Sequence, residues 1–270
     1  MKKKTGQAPQ GKDLPRNIIR VTKANADIPD YIQNGTNIIV VDHKGSLYRK
    51  YKDTLEQEGY NVKCLDLNHP EKGNHYNPFH YIHSIEDIEA LVSAIIKSEM
   101  PIEVLVNEII KSEPAAGPWR KWEELLLNAV FSYVYLHIPC EQRKISNIPP
   151  LIRGCSSDYV DTAPEDNPFE KLRTQHPESH ALAKFIEFEK ATKIATENYC
   201  LSILISCIVR LQIFDHQLYP NIAIVTDTDD LELENIVHDK FAVFILLPKQ
   251  GKEYDIMGTM LSCQASRLLS

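Results

Sequence analysis

Asn37-Ile38-Ile39-Val40-Val41-Asp42-His43-Lys44-Gly45-Ser46 is the stretch whose reading decides the fold. Its first five residues form an almost unbroken β-branched run, the pattern of a strand covered on both faces within a parallel sheet. His43 to Ser46 turn the chain. Leu47, Tyr48, Tyr51, Leu55 and Tyr60 then fall at roughly helical spacing among lysines and glutamates, and Gly59 offers a stop. A second strand is expected over Asn61 to Asp66. Strand, helix and strand make a βαβ unit, and a right-handed crossover puts Asp42 on the edge where open α/β sheets bind ligands.

Length and composition narrow what surrounds this unit. With 270 residues the chain can bury one or two ordinary cores without staples. The six cysteines, Cys64, Cys140, Cys155, Cys200, Cys207 and Cys263, contain no Cys-x-x-Cys pair, which points to reduced thiols and a cytoplasmic location. No run approaches the roughly eighteen apolar residues of a membrane span. The nearest, Leu125 to Phe131, is broken by Asn128. A formal charge of −7 argues against broad phosphate binding, so only a local basic patch could serve DNA.

Taken in order, residues 1–22 read as a disordered basic tail, with Lys2, Lys3, Lys4, Lys12, Arg16 and Arg20 interrupted by glycine and proline. Gly6-Gln7-Ala8-Pro9-Gln10-Gly11-Lys12-Asp13 matches the G-x-x-x-x-G-K part of a P-loop. A working loop needs a strand before it, a helix after it and a hydroxyl after the lysine to hold Mg²⁺. Here Asp13 replaces the hydroxyl and Pro15 interrupts the following turn, so a remnant or chance match is the better reading. His69, His75, His80 and His83 crowd one loop, but their spacing fits no zinc motif and they read as polar loop residues. Ser84-Ile85-Glu86-Asp87 is a helix start with acidic residues in the first turn. Ile85, Ile88, Leu91, Val92, Ile95 and Ile96 continue it as a buried stripe.

Further helices are expected over Val104 to Ile110, from Pro118 onward with Trp119 and Trp122 as core anchors, over Glu178 to Glu197, and over Tyr199 to Phe214. The last, the most apolar, is expected to be central. Phe241-Ala242-Val243-Phe244-Ile245-Leu246-Leu247 is a second fully buried strand stopped by Pro248, followed by a crossover helix over Tyr254 to Leu269. Neither strand can cover both its faces alone, so the two should share one sheet although some two hundred residues part them. The resulting division is 1–22 tail, 23–83 first α/β part, 84–220 inserted all-α domain and 221–270 return to the α/β part.

Val41-Asp42-His43-Lys44-Gly45-Ser46-Leu47-Tyr48, Gly59-Tyr60, Asn68-His69-Pro70-Glu71-Lys72 and Tyr76-Asn77-Pro78-Phe79 resemble the core of the TraG-like coupling proteins of type IV secretion and conjugation. The resemblance runs on through Pro118-Trp119, Ser202-Ile203-Leu204-Ile205-Ser206 and Asp229 to Pro248. In that family the first strand ends Asp-Pro-Lys-Gly-Glu, so Asp42, Lys44 and Gly45 match while His43 and Ser46 depart. The resemblance implies a P-loop-NTPase-like parallel sheet, with a large inserted all-α domain, from a hexameric, membrane-anchored ATPase. It makes Asp42, Lys44 and Gly45 the candidate cofactor-binding residues, and ATP with Mg²⁺ the family cofactors. No intact phosphate cradle is legible here, and the strand of the acidic Walker B pair would follow Ser270. The expectation is therefore a shortened or degenerate component, without ATPase activity, cofactor or metal. It would bind a relaxase, a relaxosome accessory protein or other coupling-protein subunits, with weak DNA binding and with membrane contact only through partners.

Two other readings remain at this point. Asp42, His43 and Lys44 offer a carboxylate, an imidazole and an amine, a set suited to acid–base work in an independent enzyme. Against it stands a plain turn whose aspartate accepts neighbouring backbone N–H groups, the stronger reading. The helical segment alone as an interaction module is the third.

Overall fold

The computed structural model describes residues 18–21, 28–98, 118–155, 167–194, 197–248 and 254–270. Four parallel strands form the sheet: β1 (Ile18–Val21), β2 (Asn37–Asp42), β3 (Tyr60–Asp66) and β4 (Lys240–Leu246), in the order β1-β2-β4-β3. The two runs singled out in the sequence do lie side by side, with Ile38 opposite Ala242 and Asp42 opposite Leu246. β4 inserts between the strands of the βαβ unit, because its continuous apolar run is the one best able to fill a position covered on every side. The basic tail expected over 1–22 needs correction at its end. Ile18–Val21 pairs in parallel with Asn37–Val40 as an edge strand, a register for which Ile18-Ile19-Arg20-Val21 has the β-branched content.

Residue parity along β2 and β4 divides the core in two. Ile38, Val40, Ala242 and Phe244 pack with Ile28 and Ile32 of α1 (Ile28–Gln33) and Leu47 and Leu55 of α2 (Ser46–Gln57). Ile39, Val41, Val243 and Ile245 face the larger core, which takes in every remaining described α-helix. These are α3 (Ile85–Lys97), α4 (Pro118–His137), α5 (Ile148–Arg153), α6 (Pro168–Gln175), α7 (His180–Ile194), α8 (Glu197–Leu211), α9 (Pro220–Asp227) and α10 (Asp255–Leu268). Between β3 and β4 the described chain is helical and contributes no strand.

α3 begins with the capping box its sequence announces. Asp87 N donates to Ser84 Oγ at 3.2 Å, and the Asp87 carboxylate accepts from Ser84 N at 3.0 Å. The same carboxylate pairs with Arg267 of α10 at 2.6 Å, tying the last helix to the first of the helical segment. Burial pushes the Asp87 pKa up, but the His83 N–H and the Arg267 guanidinium outweigh it and leave the group below its ordinary value.

The expectation that α8 is central is corrected. Ile205 is 43% exposed and Arg210 is buried, so α8 turns only one face inward. α4 holds the centre: Leu126, Leu127, Ala129, Val130, Phe131 and Val134 are fully enclosed, with Trp119 and Trp122 packed against the same core as anchors. Two described helices, α6 and α9, fill stretches for which the sequence reading expects no helix. Each opens with proline near its first position, and Asn167 caps α6 by accepting from Phe169 N at 3.0 Å. The helix expected over Val104 to Ile110 and the P-loop-like stretch fall outside the described residues. No described helix is long and apolar enough to cross a membrane. All six cysteines are free.

Candidate functional site

The helix after β2 lies on one face of the sheet and the helix after β4 on the other, and β2 and β4 are neighbours. Ligands of open α/β sheets bind at such a reversal, outside the carboxyl ends of the two strands. The residues at that place are Asp42, His43, Lys44 and Gly45 after β2, and Leu247 and Pro248 after β4. Leu247 N donates to the Asp42 carbonyl at 3.2 Å and closes the crevice floor.

Asp42 is 3% exposed, and its carboxylate faces inward along the turn. Oδ2 accepts from Leu47 N at 2.8 Å and Tyr48 N at 2.9 Å, and Oδ1 from Lys44 N at 3.3 Å. The first two donors are free N–H groups of the opening turn of α2, so Asp42 caps the helix from four residues before its start. Gly45 makes this path possible. Its φ of +64° is a left-handed conformation that costs glycine nothing, and it lets the chain double back over the carboxylate. Arg49 Nη2 donates to the Lys44 carbonyl at 3.0 Å, laying the guanidinium over the turn. His43 and Lys44 are exposed. Asp42, Lys44 and Gly45 thus share one turn, and the carboxylate is engaged by backbone, as the plain-turn reading expects.

Asp66 repeats the device at the end of β3, accepting from Asn68 N at 2.9 Å and His69 N at 3.0 Å. The loop that follows is pressed against the outer edge of β3: Asn74 N donates to the Cys64 carbonyl, and Asn74 Oδ1 accepts from Cys64 N at 3.1 Å. These bonds satisfy an edge that would otherwise present free backbone groups.

The four loop histidines serve separate partners. His75 Nδ1 lies 2.6 Å from Thr228 Oγ1, His69 is 3.8 Å from Glu71, His80 is 3.7 Å from Glu234, and His83 acts through its backbone N–H to Asp87. Among the described residues no group of three histidine, cysteine, aspartate or glutamate side chains is arranged to hold a metal ion.

The segments Tyr76-Asn77-Pro78-Phe79 and Asp229 onward meet in space. Asp229 accepts from Asn77 N at 3.0 Å and from the Tyr81 hydroxyl at 2.6 Å, while Asp230 accepts from His75 N at 2.6 Å. Tyr81 in turn accepts from Leu233 N at 3.2 Å. Burial raises the Asp229 pKa, with the Tyr81 and Asn77 donors working against it, and burial also raises the Tyr81 phenol. Tyr76, fully buried, donates to Gln264 Oε1, whose amide nitrogen donates to the Pro78 carbonyl at 2.8 Å. The link into the helical segment is therefore bolted to both the β4 lead-in and α10. Neither Tyr81 nor Gln264 is singled out by the sequence reading. A buried tyrosine next to a proline-bearing link needs a polar partner for its hydroxyl, which was the one available signal.

The family model described as Type IV secretory system Conjugative DNA transfer matches residues 24–264. The chain belongs to this family. The match takes in the turn at Asp42, the Tyr76–Phe79 link, the helical segment and β4 together. None of the curated proteins compared matches the chain. As a member of the conjugative DNA transfer family, the chain carries the turn after β2 as Asp-His-Lys-Gly-Ser, with the proline and glutamate of the resembled pattern replaced.

Proposed function

We propose that this conjugative transfer component recognises a transfer substrate or a neighbouring subunit and does not hydrolyse ATP. The observation that carries the reading is the self-capped turn after β2. Asp42 already occupies the Leu47 and Tyr48 N–H groups that an anion at the start of α2 would need, and it brings a negative charge to the same spot. A phosphate there would meet repulsion instead of free donors. Asp42, Lys44 and Gly45 on this reading shape a surface turn in a P-loop-NTPase-like sheet and hold no cofactor. The Gly6–Asp13 stretch supports it, since Asp13 stands where Mg²⁺ chemistry needs a hydroxyl.

Recognition then falls to the helical residues of about 84–220, an inserted domain held by the Tyr76–Gln264 and Tyr81–Asp229 bolts. The partner of this reading is a relaxase, a relaxosome accessory protein or another coupling subunit, with membrane contact through partners. An independent enzyme built on Asp42, His43 and Lys44 is disfavoured, because the carboxylate is buried and already accepts from three backbone donors. The purified full chain with Mg²⁺ and ATP should show no phosphate release above a buffer blank. Reproducible turnover that disappears in Lys12→Ala would overturn this half of the proposal.

A further inference from the structure

Aromatic and imidazole rings meet where the end of α4 packs on the α6–α7 turn. Phe169 of α6 stacks on Phe185 of α7 with centroids 4.1 Å apart, and Tyr133 of α4 meets Phe169 edge-on at 5.7 Å. One turn along α4, the His137 ring lies 5.5 Å from Tyr133 and 5.1 Å from His176 in the turn. Its Nε2 is 2.7 Å from Ser179 Oγ. Phe169 and Phe185 are buried, so this edge of the core stays dry only while the turn lies on α4.

The charged and titratable groups around His137 come from every element of the seam. In the turn, His176 is a second imidazole, with Glu178 3.8 Å from its Nδ1. On α7, His180 keeps Nε2 buried with no hydrogen-bond partner among the described residues. Ser179 immediately precedes α7, so the positive end of that helix lies beside the His137 ring, while the negative end of α4 acts in the opposite sense. Just past α4, Arg143 donates to the Ile138 carbonyl at 2.9 Å and adds a cation. On α6, Lys171 is exposed, and Arg173 is taken up by Glu170 and Glu189 at 3.1 and 2.6 Å. Burial raises the Tyr133 phenol, which stays neutral. Burial, and then His176, hold the His137 pKa below its ordinary value, with Glu178 working against them.

We propose that this seam is an acid-sensitive latch, in which a proton on His137 sets a half-buried cation beside His176 and the start of α7, and the α6–α7 turn lifts from α4. Lifting uncovers Phe169 and Phe185. A histidine whose latched pKa lies below 6.5 lets the open state take up the proton first. The latch is therefore whole above about pH 7 and weakens as pH falls through 6.5 toward the latched value. Within that window each pH unit multiplies the open fraction by up to about tenfold per proton taken up. The latch stands apart from the recognition reading, since capture of a partner at neutral pH does not call on it, and either can fail without the other.

The test follows backbone hydrogen exchange of the full chain by mass at about pH 7.5 and about pH 5.5, corrected for intrinsic exchange. The opening constant of residues 169–182 should rise at least about threefold more than that of β4 on acidification. His137→Gln keeps a polar group opposite Ser179 but takes up no proton, and should remove most of the excess. His176→Gln should reduce it, and His216→Gln, an exposed histidine elsewhere, should leave it as in the native chain. A dye that fluoresces on apolar surface should report the same order. Circular dichroism checks that each variant folds, and His176→Gln serves if His137→Gln does not. No excess in the native chain, the full excess in folded His137→Gln, or an equal reduction in His216→Gln would each overturn the proposal.

Discussion

Arg210→Met is expected to remove about 3–5 kcal/mol of folding stability, read as a shift in the chemical denaturation midpoint. Arg210 and Glu123 form an ion pair at 3.1 Å in which each side chain is 1% exposed. The guanidinium also donates to the Ile95 and Ser98 carbonyls at 3.2 and 3.3 Å, closing the C-terminal end of α3. Ser206 donates to the other Glu123 oxygen. One network therefore joins α3, α4 and α8. Removing the arginine leaves a carboxylate in the core with its main partner gone, which costs far more than the intact pair contributes. Combining Glu123→Leu with Arg210→Met should be less damaging than either change alone, since an apolar pair leaves no stranded charge. A double variant as unstable as the sum of the two would show that the residues do not act as a unit.

Gly73→Ala is expected to cost about 1–3 kcal/mol, and Gly73→Val more, although the backbone there is ordinary extended chain. A Cβ at this position would come within 2.7 Å of Asp66 N and 2.8 Å of the Cys64 carbonyl. Both are backbone atoms of β3, so no rotamer change relieves the contact. The loop would have to lift from the strand, breaking the Asn74 bonds to Cys64 and opening an edge to other chains. Light scattering at the midpoint should therefore rise along with the loss of stability. A variant as stable and as monodisperse as the native chain would show that the loop does not seal the edge.

Both effects rest on residues the sequence did not mark, and the reason is the same for each. The strands β2 and β4, the cap at Ser84 and the crossover helix α10 were legible because each is written in local order: a β-branched run, a capping box, a helical stripe. Glu123 stands among apolar neighbours on α4 and reads as a solvent-facing charge until α8 brings Arg210 to it from 87 positions away. Gly73 looks like any turn glycine until β3 lies against it. The edge strand β1 was hidden because Arg20 and the nearby prolines and lysines gave the segment the composition of a tail. At the candidate site, Asp42, Lys44 and Gly45 were legible as one turn. The plain-turn reading also expected the Asp42 carboxylate to accept backbone N–H groups, but spacing alone did not say that two of them, Leu47 and Tyr48, would come from the opening turn of α2.

The central claim is that the chain acts by holding a partner of DNA transfer. It is tested most directly by affinity capture with the tagged full chain from cells carrying a conjugative element, with the bound proteins identified by mass. Recovery of a relaxase, a relaxosome accessory protein or a coupling subunit, lost when Arg210→Met collapses the helical core, is the expected result. Recovery of none of the three by the folded native chain would contradict the account.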